Sequence, residues 1–230
     1  MSTFEHDFYL KSEAEQKFFI WKVASLLLFI SAMILFICWI TGWYFLLLLF
    51  AGILMIFAPF IDTPSGKKQG KLIYYSPLFI VEKQKEDKLV LHGGTLFDYY
   101  FVIDRDQNSA ERTKFILRNY LQGIVNMIHE YEQSGKPNPK IKATSYIINE
   151  RTAKKAGFKV VKTDGLQSII LFLNYIPLTL SYSISKGKLS FPNISKVKSY
   201  KCEMKDLIAR KDFLQSLLKR FDAKSSEKVV

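Results

Sequence analysis

Hydrophobic and polar positions are distributed unevenly along this chain. From residue 23 to residue 61 the sequence reads VASLLLFISAMILFICWITGWYFLLLLFAGILMIFAPFI, without one charged side chain. As a single helix that run would be about 58 Å long, roughly twice the thickness of a bilayer's hydrocarbon core, so it must fold back. Thr41-Gly42-Trp43 is the place for the reversal, because Gly42 frees the backbone and Trp39, Trp43 and Tyr44 are side chains that favour a membrane interface. The pattern predicts two transmembrane helices, 22–41 and 44–61. Neither carries the polar stripe expected of a hairpin buried in a water-soluble core. A removable secretory signal fits poorly, since the run is too long and a second span follows at once.

The flanking segments are mixed. Residues 1–21 combine Phe4, Phe8, Tyr9, Leu10, Phe18 and Phe19 with charges, the composition of an amphipathic segment lying along the interface. Residues 62–70 carry the Pro, Gly and Lys of a short linker. Residues 71–222 alternate between strand-like and helix-like patterns and predict an α/β (mixed α+β) domain, with a frayed tail over 223–230.

Within that domain KLIYYSPLFIVEK, KLVL and TLFDYYFVID read as strands. The clearest helix covers 109–134. Asn108 and Glu111 form a capping box, Leu117, Tyr120, Leu121, Ile124, Val125, Ile128 and Tyr131 recur on one face, and Gly135 and Pro137 stop it. A strand KIKATSYIIN, a short helix ERTAKKAGF and a strand KVVKTD follow. LQSIILFLNYIPLTLSYSI is apolar enough for a third span, but Asn174 and Pro177 cut it into pieces too short to cross. It reads instead as a buried helix running into a strand, docked against the bilayer. SYSISKGKLSFP resembles a hairpin turning at Lys186-Gly187-Lys188, and Asp206 can cap a last helix with Leu207, Phe213, Leu214, Leu217, Leu218 and Phe221 inward.

Charge sets the orientation. Lys11, Lys17 and Lys22 precede the first span, Lys67, Lys68 and Lys71 follow the second, and the turn between has no charge. The positive-inside rule therefore puts both termini, and the α/β domain, in the cytoplasm. From Asp62 onward there are 30 Lys and Arg against 17 Asp and Glu, a net charge of +13. An anionic leaflet is the polyanion closest to hand. Nucleic acid is disfavoured, because the basic residues are spread over the whole domain and no binding module is recognisable. Cys38 falls within a span and Cys202 stands alone, which excludes a disulfide framework or a thiolate metal site within one chain.

Candidate chemistry is sparse. His92-Gly93-Gly94 ahead of a strand has the form of an esterase oxyanion loop, but no Gly-x-Ser-x-Gly elbow follows. What remains is a turn or bulge between two strands, the paired glycines supplying positive φ, or else a bare backbone that lets a ligand approach. His6, His92 and His129 lie too far apart in sequence to share a helical turn, and Asp104-Arg105-Asp106 reads as a solvated turn rather than a cation site. No phosphate loop of the Gly-x-x-x-x-Gly-Lys-Ser/Thr kind is present.

One stretch, YIINERTAKKAGFKVV over 146–161, resembles the strand–helix–strand near the end of the GCN5-related N-acetyltransferases. Asn149 matches the Asn that closes a strand there, and Gly157-Phe158 the Gly-Phe pair that opens the next. The resemblance implies acyl-coenzyme A as cofactor, with Asn149 and the Gly93-Gly94 turn near it, in a cleft between two parallel strands. The pyrophosphate-binding Gln/Arg-x-x-Gly-x-Gly/Ala of that family is missing, its place taken by RDQNSAERTKF.

Two functional readings follow. In the first, the protein is a membrane-anchored module without a cofactor, which binds anionic lipid or a membrane-protein partner at the cytoplasmic face. In the second it is a membrane-tethered acyltransferase. No group in the sequence can be assigned a catalytic role.

Overall fold

A computed structural model describes residues 6–83, 87–135, 138–145 and 150–226. Helix α1 (Asp7–Leu10) is a single turn, followed by α2 (Glu13–Thr41) and α3 (Leu46–Lys68). Ser12 and Glu15 form a capping box that starts α2, and Gly42, at φ 70°, ends it by donating its N–H to the Cys38 carbonyl. At 29 and 23 residues both helices are long and apolar enough to cross a membrane. Only Ile34 and Cys38 of α2 and Thr63 and Pro64 of α3 are buried by protein, so nearly the whole apolar surface of the hairpin is left for lipid.

The reversal falls at Gly42 as the sequence predicts, but the flanks differ. The expected interfacial segment 1–21 is, from Glu13 onward, the first turns of α2, and Phe8 of α1 is wholly buried rather than lying on a surface. The expected linker 62–70 is mostly the end of α3. Both changes have one cause, the aromatic and polar contacts these residues make with the domain.

The domain begins with a meander, β1 (Leu72–Ser76), β2 (Phe79–Lys83) and β3 (Lys88–Gly93). KLIYYSPLFIVEK is thus two strands, broken at Pro77-Leu78. TLFDYYFVID, read as a strand for its aromatic content, is instead helix α4 (Leu96–Val102), opened by a Thr95–Asp98 capping box. Packing overrides strand propensity here, since Leu96, Phe97 and Tyr99 are all buried. Helix α5 (Ser109–Ser134) starts at Asn108 and Glu111 and ends at Gly135 as predicted.

Then come β4 (Lys140–Ser145), α6 (Glu150–Lys155), β5 (Lys159–Val161), α7 (Gly165–Leu173), α8 (Tyr175–Lys186), β6 (Lys198–Glu203), α9 (Met204–Ile208) and α10 (Lys211–Ser226). The segment expected to be a buried helix entering a strand is the helix pair α7–α8, bent by 66°. No residue of α7 is buried. The expected hairpin at Gly187 does not form: Gly187, at φ 66°, caps the end of α8. Asp206 lies within α9, in a capping box with Glu203, and Phe213 is partly exposed at the rim of the core.

The six described strands make one mixed sheet in the order β1-β2-β3-β4-β6-β5. Only β3 and β4 run parallel, with Leu89 opposite Ile141. Helix α5 covers one face, setting Ile124, Met127 and Ile128 against Phe79, Val81, Leu89 and Ile141, and Met204, Leu207 and Leu214 close that core. Gly123 lets the helix approach closely, for a Cβ there would fall 2.5 Å from Phe79.

Hairpin and domain meet at Asp98, which is fully buried. One carboxylate oxygen accepts the Thr95 N–H at 2.6 Å and the Thr95 hydroxyl at 2.8 Å, while the other accepts the Tyr74 hydroxyl at 2.6 Å and lies 3.2 Å from His6 Nε2. Since Thr95 donates to Asp98, the Thr63 hydroxyl 3.1 Å away must donate to Thr95. Burial, then the nearby carboxyl, push the Tyr74 hydroxyl far above its ordinary pKa, which keeps it a donor. Phe8, Phe19, Phe60, Phe97 and Phe101 pack around this cluster, with Phe8 and Phe97 centroids 4.9 Å apart.

Replacing Asp98 by Ala removes the shared acceptor of these buried donors. The expected loss is about 3 kcal/mol of stability. Thermal unfolding of the full chain in lipid nanodiscs should show it, together with faster proteolysis between α3 and β1; an unchanged midpoint would mean that the cluster is not what joins hairpin to domain.

Candidate functional site

The parallel pair does not stay paired. The β3–β4 ladder ends at Leu91 opposite Ala143, yet β3 follows β2 to Gly93 and β4 follows β6 to Ser145. The two strands therefore part at their carboxyl ends. A cavity of about 230 Å³ lies at that parting, on the α5 side of the sheet. Leu91, Gly93, Ala143 and Ser145 border it from the strands, Tyr120 and Ile124 from α5, and Ala153 and Phe158 from α6 and the residue before β5. Leu171, Leu178 and Ser181 of α7–α8 and Phe213 of α10 complete the wall. The lining is chiefly apolar with a few hydroxyls, the usual make-up of a small-molecule site.

Gly93 and Gly94 do border this cavity, but not for the expected reason. Neither has positive φ, and they join a strand to a helix, not two strands. Gly93 is required by crowding, since a Cβ there would stand 2.1 Å from the Tyr120 hydroxyl. At Gly94 a Cβ would meet Leu78 at 2.9 Å and Asp98 at 3.1 Å. Desolvation raises the pKa of the partly buried Tyr120, and the hydroxyl of Tyr99 at 3.4 Å offsets part of that rise.

His92 points elsewhere. Its Nε2 lies 3.2 Å from a Glu82 carboxylate oxygen at a half-exposed position, and this contact holds the Glu82 carboxyl below its ordinary range.

Asn149 lies outside the described residues. Gly157, at φ 94°, ends α6, and Phe158 is buried beside Tyr200 with ring centroids 6.4 Å apart, so the Gly-Phe pair anchors β5 to the core.

The helix starts after β3 are already occupied. At α5 the Asn108 side chain accepts the N–H groups of Ala110 and Glu111 at 3.0 and 3.1 Å, and at α4 the Asp98 carboxylate accepts the N–H of Thr95, the residue before the helix. These amides are therefore not free for a pyrophosphate to bind. Asp104 accepts the Asp106 N–H at 2.9 Å in an exposed turn, and among the described residues no three His, Cys, Asp or Glu gather into a metal site.

Sequence reasoning found Tyr120 and Ile124 as part of an inward helix face but gave no sign that they wall a cavity. Ser145, Ala153 and Ser181 carried no signal, because a cavity depends on strands separating, which no local pattern records.

No family model matches this chain, and neither a curated protein nor a solved structure matches it.

Substituting Gly93 by Ala should cost about 1–3 kcal/mol through overpacking against Tyr120. Adding Tyr120→Phe removes the hydroxyl in the way and should recover part of that loss, so the double mutant is less destabilised than the sum of the singles. Strict additivity in chemical unfolding would refute the stated contact.

Proposed function

We propose that this protein is a membrane-anchored ligand-binding module of the cytoplasmic face, and that its ligand places an apolar group in the cavity where β3 and β4 part. The observation that carries the reading is that separation, which opens an apolar, hydroxyl-dotted hollow on the α5 side of the sheet. In this reading the hairpin supplies the anchor, and the lysines flanking both helices support a cytoplasmic domain through the positive-inside rule. On the sheet face away from α5, Lys142, Lys201 and Lys159 stand side by side across β4, β6 and β5, an arrangement that anionic surroundings relieve.

Acyl transfer from acyl-coenzyme A is the second reading. A cleft between two parallel strands beside residues 146–149 is what the resemblance to the N-acetyltransferases implies, and the parting of β3 and β4 supports it. The capped helix starts weigh against it, for they leave coenzyme A's pyrophosphate without a cradle.

Thermal unfolding of the full chain in nanodiscs separates these readings. Palmitoyl-coenzyme A at 100 times its Kd should add about 2.7 kcal/mol. A shift with palmitoyl-coenzyme A and none with coenzyme A supports the apolar-ligand module, and a shift with coenzyme A alone supports the transferase. Silence with both removes the two together. Ala153→Leu, which fills the cavity from α6, should diminish the palmitoyl-coenzyme A shift.

Orientation has its own measurement. Protease added to sealed inside-out vesicles should degrade the α/β domain, while protease outside right-side-out vesicles should spare it. Cleavage in the second case would overturn the cytoplasmic assignment.

A further inference from the structure

Between Asp164 and Lys186 the chain has no charged residue, and this segment is α7–α8. Its outer surface is strongly apolar: Ile169 is 58% exposed and Phe172 72% exposed. Facing water, such a patch would be unusual for a soluble surface. The contacts of α8 show where it lies instead. Ile176 Cδ1 is 3.5 Å from the point where a Cβ on Gly52 would stand, and Gly52 belongs to the membrane helix α3. Gly52 precedes Ile61, the last apolar residue of that run, by nine positions, about 13 Å along the helix axis. Half the hydrocarbon thickness is about 15 Å. The bend between α7 and α8 therefore sits at the depth of acyl chains.

The segment does not cross. It leaves the sheet from β5 and returns to β6, and these strands are neighbours with Lys159 opposite Lys201. Both ends lie on the same side, which makes the pair re-entrant. Its backbone suits that place, since unsatisfied polar groups in lipid are costly. Asn174 donates both its N–H and its side-chain amide to the Ile170 carbonyl, Leu178 N–H donates to the Asn174 carbonyl, and Pro177 has no N–H to satisfy. At the far end Arg112 holds α8 to α5 by donating to the Ile184 carbonyl at 2.6 Å. Beyond it Lys186 and Lys188 stand with the exposed Leu189 and Phe191, the mixture of an interfacial rim.

Leu171 and Leu178, one turn to either side of the bend, also line the cavity. The same two helices thus have one face in the bilayer and the other on the hollow. We propose that α7–α8 is a re-entrant wedge through which the cavity is loaded sideways from the membrane, and that its occupant is the acyl chain of a lipid in the cytoplasmic leaflet. The occupant rests on the reading of the cavity as a ligand site; the wedge does not.

The test uses the wild-type full chain in phospholipid vesicles doped with a phospholipid bearing a diazirine near the end of one acyl chain. After irradiation, adducts are mapped by mass spectrometry, with those on α2 and α3 as the positive control. Adducts at Ile169 or Phe172 and also at Ile124 or Phe158 are expected, with the cavity adducts lost in Ala153→Leu and the α7 adducts retained. Labelling of the spans without α7 overturns the wedge. Labelling of α7 without the cavity overturns sideways loading by lipid, and the palmitoyl-coenzyme A titration then decides separately whether the cavity holds any ligand.

Discussion

A buried carboxylate with four close polar partners joins the two halves of this protein. Asp98 draws together His6 ahead of α1, β1 through Tyr74 and the start of α4 through Thr95, and Thr95 in turn reaches α3 through Thr63. Burying a carboxyl group is costly unless its acceptor sites are filled, and here they are. The consequence is geometric: a membrane hairpin that might have swung on a linker is fixed to the sheet at the residues where it leaves the apolar run.

That fixing reaches the cavity in a few residues. Gly94 lies against the Asp98 Cβ, and Gly93 against Tyr120, so the end of β3 is held by α4 on one side and α5 on the other. Strand β4 has no such tether to β3 beyond Ala143 and follows β6 instead. The strands part where each stays paired with its outer neighbour. Glycine at 93 serves closeness of side chains, not freedom of backbone, which is why the pair does not depend on positive φ.

The legible parts of the fold were those written in local patterns. The uncharged run, the reversal at Gly42, and α5 with its Asn108–Glu111 cap and Gly135 stop all follow from charge, periodicity and capping, and all are present. The misread parts were those where tertiary contact decides. TLFDYYFVID has the aromatics of a strand but becomes a helix because Leu96, Phe97 and Tyr99 are enclosed by other helices and the sheet. Residues 62–70 have a linker's composition but extend α3, since Thr63 has a partner 32 residues away. Of the candidate site, Gly93 and Gly94 were read as a positive-φ turn or an approach for a ligand, whereas what the structure shows there is crowding by Tyr120, Leu78 and Asp98. Their neighbours Ser145, Ala153 and Ser181 were not legible, because what assembles them is a missing set of strand-to-strand hydrogen bonds.

The apolar segment 165–185 shows the same limit from the other side. Hydropathy alone cannot distinguish a core helix, a span and a re-entrant pair, for all three require the same residues. Connectivity can. A segment that begins at one strand and ends at its neighbour returns to the side it left, and a segment touching α3 at Gly52 does so well inside the apolar run. The exposure of α7 sets it apart from a core helix, whereas α8 buries Pro177, Thr179 and Ser181, and the adjacency of β5 and β6 brings both ends of the segment to the same edge of the sheet. Since α8 packs against α3 and also walls the cavity, any shift of α8 against α3 would change the hollow's shape.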